Sequence, residues 1–156
     1  MVKAEAFSVV GQRIDRVEGY EKVTGEAKYI ADIQLPGMLI GKILRSPYPH
    51  ARILKIDTSK AERLPGVRAV VTADDTIKQS WGVFIQDQHP LSVGKVRYVG
   101  DEVAAVAAIG EDIAEEALGL LGVQWEELPA VFDPEEAMKE GAPLLHKDKE
   151  RNIAIK

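Results

Sequence analysis

The spacing of apolar residues changes several times along the chain, and each change predicts an element. Leu39, Ile40, Ile43 and Leu44 cluster just ahead of the breaker Ser46-Pro47-Tyr48-Pro49, which predicts a strand over 38–46. Residues 51–57 read as the next strand, with Ile53 and Leu54 inside. Ser59-Lys-Ala-Glu62 has the spacing of a capping box, so a short helix is expected there, ended by Pro65-Gly66. Residues 67–72 alternate, which places Val67, Ala69 and Val71 on one face of a third strand.

The second half is patterned more regularly. Residues 95–99 predict a strand, Gly100-Asp101-Glu102 a tight turn, and the apolar run 103–109 a buried strand with glycine at either end. Asp112-Ile-Ala-Glu115 has capping-box spacing. Ile113, Ala114, Ala117, Leu118 and Leu121 follow as a helical stripe, with Gly122 placed as the C-cap glycine. Residues 123–128 alternate again, Val123 and Trp125 together. Asp133-Pro134-Glu-Glu136 combines an N-cap, a first-turn proline and an acid, opening a helix that runs to about Glu140 and stops at Gly141. The 110–122 connection is long enough for a parallel crossover. Strands outnumber helices, so an α+β domain with a mixed sheet is expected.

Two segments resist this reading. Residues 74–94 show no period and form a long excursion with room for one short strand. An interface is expected there rather than disorder, because Trp81 and Phe84 stand among polar neighbours. Residues 17–33 are too polar for a core strand, too regularly apolar for a linker, and broken by Gly19 and Gly25.

Composition narrows the function classes. A chain of 156 residues suggests one domain with a core that needs no staple. A net charge of −5 with scattered basic residues argues against nucleic acid. The absence of cysteine removes disulfides, thiolate zinc sites and iron–sulfur ligands. The longest apolar run, 103–109, is far short of the roughly 20 residues of a membrane helix. The N-terminus lacks signal-peptide character, so a cytoplasmic location is expected.

Candidate chemistry is sparse. No phosphate-binding, dinucleotide, zinc-protease or nucleophile-elbow motif occurs. His50, His89 and His146 are far apart in sequence and read as unrelated loop histidines. Asp101-Glu102 occupies a turn, where binding residues often lie, although a solvated turn explains it as well. Glu111, Asp112, Glu115 and Glu116 suit a helix start. No catalytic, cofactor-binding or metal-binding residue emerges.

Taken together, EKVTGEAKYIADI, ILRSPYPHARI, KVRYVGDEVAAV and ELPAVFDPEEAM resemble one family. The chain, from about Gly11 to Ile153, is similar to the α/β hammerhead domain that opens the molybdenum-binding large subunit of the xanthine dehydrogenase and aldehyde oxidase family. Among its branches the resemblance is greatest to 4-hydroxybenzoyl-CoA reductase, which implies an aromatic acyl-CoA substrate. It implies a single hammerhead domain over 1–156, with an extended arm at 1–16 and a tail at 147–156 leading toward a molybdopterin-binding region. It implies a molybdenum–pterin cofactor, iron–sulfur clusters and FAD on other domains or subunits, none of them held by this chain. The chain alone is then expected to be inactive, with an assembly role in an oxidoreductase. Its partners would be the molybdopterin-binding remainder of the large subunit and the iron–sulfur and flavin subunits. Tyr20, Lys22, Tyr29, Trp81, Phe84, Gly100, Asp101 and Glu102 are the expected interface residues. A free-standing interaction module that reuses the fold is the competing expectation. A biotin- or lipoate-carrier role is disfavoured, because no exposed hairpin lysine is flanked by methionines.

Overall fold

The computed structural model describes residues 9–146 and 149–155. Parts of the expected arm (1–8) and tail (147, 148 and 156) lie outside the described residues. The chain divides into two compact units, Met1–Pro36 and Gly37–Lys156. In the first, helix α1 (Gly19–Thr24) ends at Gly25, whose φ of 78° is the left-handed conformation that glycine adopts without strain. A 3₁₀ turn, Ile30–Asp32, follows, closed by the Tyr29 N–H donating to Asp32 Oδ2 at 2.9 Å. Neither element has a buried residue.

The second unit holds β1 (Ile40–Arg45), β2 (Ala51–Asp57), α2 (Ser59–Glu62), β3 (Val67–Thr72), β4 (Lys95–Val96), β5 (Glu102–Ala108), α3 (Glu111–Leu120), β6 (Gly122–Glu127) and α4 (Pro134–Ala137). The strands form two three-stranded sheets, ordered β1-β5-β3 and β4-β2-β6. Every pairing is antiparallel, with Ile40 and Val67 both opposite Ala108, and Asp57 opposite Gly122. The α+β class therefore holds, but as two antiparallel sheets rather than one mixed sheet. The 110–122 connection carries the chain from one sheet to the other and makes no parallel crossover.

Strand β5 is the structural centre. Val103, on one side, packs with Ala51 of β2 and Val96 of β4, and so joins the two sheets. Val106, on the other, packs with Ala61 of α2 and Ala117 of α3. The fully buried Ala104 and Ala108 are small enough to let neighbouring elements approach closely. The apolar run reads as continuous in sequence because both of its faces are covered.

Several local details differ from the sequence pattern. A register shift between Val67 and Ala69 breaks the alternation of β3, so Val67 and Val70, not Val67, Ala69 and Val71, pack toward the helices. Ser59 does not cap α2. The N-cap is Thr58, and Asp57 Oδ1 accepts from the Ser59 backbone and hydroxyl at 3.1 and 2.6 Å. Asp112 lies inside α3, whose N-cap is Gly110, and Gly122 already belongs to β6 behind a Leu121 C-cap. The strand expected over 95–99 stops at Val96, because the Arg97 N–H is taken by Asp101 Oδ2 at 2.9 Å. Helix α4 ends at Ala137, short of Glu140.

Its N-cap is as the sequence predicts. Asp133 Oδ1 accepts from Glu135 and Glu136 N–H, both at 2.9 Å. Asp133→Ala is expected to cost about 1 kcal/mol, read as a lower urea midpoint with an unchanged slope.

Candidate functional site

The turn at Gly100-Asp101-Glu102 is held by two neighbouring residues, Arg45 and Ser46. Gly100 adopts a φ of 97° at its tip. The Ser46 N–H donates to the Asp101 carbonyl and the Gly100 N–H to the Ser46 carbonyl, both at 2.9 Å. Arg45 Nη1 donates to the Gly100 carbonyl at 2.7 Å and to Glu102 Oε1 at 2.6 Å. The ILRSPYPHARI and VGDE segments, distant in sequence, thus clasp one another.

The excursion is tied down beside this turn. A 3₁₀ turn, Ala73–Asp75, starts it, with Asp75 Oδ2 accepting the Thr72 N–H at 2.8 Å. An isolated antiparallel bridge pairs Trp81 with Gln88. Asp87 Oδ2 then accepts from His146 Nδ1 at 2.6 Å and forms an ion pair with Arg97 Nη2 at 3.0 Å. One carboxylate oxygen therefore joins the excursion, the segment after β4 and the chain beyond α4.

These segments enclose a cavity of about 440 Å³ whose wall includes Trp81, Asp87, His89, Arg97, Asp101 and Glu102. Of the expected interface residues, Trp81, Asp101 and Glu102 meet there. Phe84 is 65% exposed and lines an adjoining depression with Trp81. Tyr20, Lys22 and Tyr29 belong to the first unit, with Tyr20 and Lys22 on α1 and Tyr29 opening the 3₁₀ turn; all three are exposed. Asp87, Ser92 and Arg97 were not singled out by sequence, and His89 and His146, read there as unrelated loop histidines, line one cavity. The partner of Asp87 at His146 is 59 residues away, so no local pattern signals it.

His50 and His146 have separate partners. His50 is buried; its Nδ1–H donates to the Pro129 carbonyl at 2.8 Å, and Nε2 accepts from Lys95 Nζ at 3.2 Å. His89 and His146 line the cavity. Among the described residues no group of three or more His, Cys, Asp or Glu is placed to hold a metal.

The Arg45 guanidinium holds the Glu102 carboxyl below its ordinary value of 4.5. A depressed folded-state value favours the ionised form. The resulting stabilisation is complete above pH 4.5 and is lost as pH falls through the lower folded value. Glu102→Gln is expected to flatten that acid limb while leaving the other carboxylates' contributions, as thermal melts across a pH series would show. An unchanged limb would mean that the pair with Arg45 contributes nothing.

Among the described residues the donor set does not fit the cofactors that the sequence resemblance implies. An iron–sulfur cluster needs thiolates, and the chain has no cysteine. A pterin phosphate suits a helix N-terminus, but Glu111 and Asp112 fill the first turn of α3 with negative charge.

Comparison with known proteins agrees with this architecture. Residues 24–129 match the family described as aldehyde oxidase and xanthine dehydrogenase, a/b hammerhead domain. A probable xanthine dehydrogenase subunit of Bacillus subtilis is 51% identical over 134 residues, covering 85% of this chain and 18% of that protein. The nicotinate dehydrogenase large molybdopterin subunit of Eubacterium barkeri is 40% identical, covering 91% of this chain and 34% of that protein. The crystal structure of a Cu,Mo-CO dehydrogenase superposes with a TM-score of 0.78 at 41% identity, over 88% of this chain and 18% of that one. The chain thus spans about a fifth to a third of these relatives.

Proposed function

Because the chain belongs to the aldehyde oxidase and xanthine dehydrogenase family through its a/b hammerhead domain, we propose that it is the N-terminal domain, or a split subunit, of a molybdenum hydroxylase large subunit. Its role is assembly rather than catalysis. The observation that carries this reading is coverage: 88% of the chain follows a solved relative's backbone, yet accounts for only 18% of that relative. The remainder of the large subunit supplies the molybdenum–pterin site, and iron–sulfur and flavin subunits complete the electron path in a cytoplasmic complex. Tyr20, Lys22, Tyr29, Trp81, Phe84 and the turn at Gly100-Asp101-Glu102 are the surfaces offered to those partners.

The substrate is a finer question. The sequence resemblance suggests an aromatic acyl-CoA such as 4-hydroxybenzoyl-CoA, whereas the relatives' names read xanthine, nicotinate and CO. Co-expression of the chain with the molybdopterin-binding remainder of a large subunit tests the assembly role. A stoichiometric complex is expected, active only when both parts and the redox subunits are present. Screening it against acyl-CoA, purine, nicotinate and CO then assigns the substrate. Failure to co-purify, with the chain itself well folded, would favour a free-standing interaction module.

A further inference from the structure

The first unit has apolar side chains but no core. Among residues 9–36 none is buried, and only Glu18, Gly19 and Ala27 are half-buried. Every Val, Ile, Leu and Tyr from Val9 to Leu35 is exposed, Val17, Val23 and Ile30 to 97%, 85% and 91%. Single exposed apolar residues are ordinary on a protein surface, but a segment that exposes all of them marks an interaction surface. Both core clusters consist of residues of the second unit.

The polar groups of this segment, by contrast, find partners within it. Glu18 Oε1 accepts from Arg16 Nε at 2.8 Å and from Lys22 Nζ at 3.3 Å. The Thr24 hydroxyl donates to the Tyr20 carbonyl at 2.9 Å. These bonds are local and exposed, and such pairs contribute little to order. Helix α1 has six residues, fewer than the roughly 12–15 at which an isolated helix becomes even marginally stable. Helix α2 is shorter still, but its Ala61 is anchored in the core; α1 has no buried residue to offset the entropy of ordering it.

We propose that residues 9–36 fold only when they dock on the molybdopterin-binding remainder of the large subunit, where an apolar groove takes up Tyr20, Val23 and the flanking Val17 and Ile30. The proposal rests on the assembly role above. Tyr20 and Val23 are three residues apart and so share one face of α1. The occupant follows from coverage. More of this chain, 88%, follows the solved CO dehydrogenase chain than the second unit contains, so the likeness reaches into the first unit, and the matched stretch is only 18% of that chain. The backbone of the first unit is therefore one that occurs within a much longer chain, the rest of which can cover it. The charges select the kind of groove. Residues 9–36 carry four cationic and five anionic side chains, and Arg16, Glu18 and Lys22 already match one another. A nucleic acid or an anionic lipid surface gains little from such a balance, whereas an apolar protein groove gains the whole exposed face.

The test is amide hydrogen–deuterium exchange on the full chain, alone and co-purified with the molybdopterin-binding remainder of a large subunit. In the chain alone, the amides of 19–24 are expected to exchange as fast as those of an unfolded peptide, while those of β5 stay protected. In the complex, 19–24 should exchange at least about tenfold more slowly. Tyr20→Asp combined with Val23→Asp should leave the thermal melt of the isolated chain unchanged, because neither side chain is buried, and should weaken the complex at least about tenfold. Tyr20→Phe combined with Val23→Ile keeps the apolar face and should preserve the complex. Protection of 19–24 in the isolated chain, or a lowered melt of the double aspartate variant, overturns the proposal; sedimentation of the isolated chain as a dimer would then assign the face to a second copy. A complex that forms with 19–24 still unprotected, or at full affinity with the double aspartate variant, rejects this docking and leaves the assembly role standing. A well-folded chain that forms no complex rejects the assembly role and this docking with it.

Discussion

Val103→Asp is expected to leave the chain without a cooperative thermal transition. Val103 is fully buried on β5, between Ala51 of β2 and Val96 of β4, and Leu44, Ile53, Ile56, Val123 and Trp125 pack against that cluster. The side chains named around it are apolar and none of them can ion-pair with a carboxylate, so an aspartate there is disfavoured when ionised and is protonated only at a cost. Either penalty is several kcal/mol, comparable with the roughly 5–15 kcal/mol that holds a domain folded. The graded companion is Val103→Ala. It removes two methyl groups, about 1.6 kcal/mol of transfer energy, and leaves a cavity between the sheets, for a total of about 2–3 kcal/mol. Dispersion of the amide spectrum and the urea midpoint would report both effects. A native-like melt for Val103→Asp would show that the sheets are not joined through this residue.

The second large effect is expected at Gly66. It sits between α2 and β3 with a φ of 99°, and its carbonyl accepts the Ile109 N–H at 3.0 Å. A Cβ there would lie 2.7 Å from Ile113 Cδ1 and 3.2 Å from Ile109 Cγ1. Gly66→Val therefore combines left-handed backbone strain in a β-branched residue with overpacking against α3, for a cost of roughly 3 kcal/mol or more. Gly66→Ala should cost less. Combining Gly66→Ala with Ile113→Val should recover the part of the overpacking due to Ile113 Cδ1 but not the backbone part, and a double-mutant cycle isolates that pairwise part. Complete recovery by Ile113→Val would show that strain at this φ is negligible.

These positions also show how far local pattern reaches. The strands Ile40–Arg45, Ala51–Asp57, Val67–Thr72 and Gly122–Glu127 were legible in the sequence, because side-chain alternation and the bounding turn residues are local properties. So was the Asp133 cap, whose donors are two and three residues away. The turn at Gly100-Asp101-Glu102 was legible as a turn, but its clamp by Arg45 and Ser46 was not, since those residues are 55 or so positions earlier.

The amino-acid sequence by itself determined where most strands and helices of the second unit lie, that cysteine-based cofactor chemistry is absent from this chain, and which family it resembles. Tertiary structure alone decided that β5 and β6 lie in different sheets, that a register shift in β3 turns Val70 toward the helices, and that Asp101 ends β4 after two residues by taking the Arg97 N–H. It also decided that Asp87, Arg97 and His146 share one carboxylate oxygen at an acidic cavity. The division has a physical reason. Periodicity and capping act over a few residues, whereas strand pairing, register and ion pairs join residues tens of positions apart, and their free energy exists only once the chain has closed on itself.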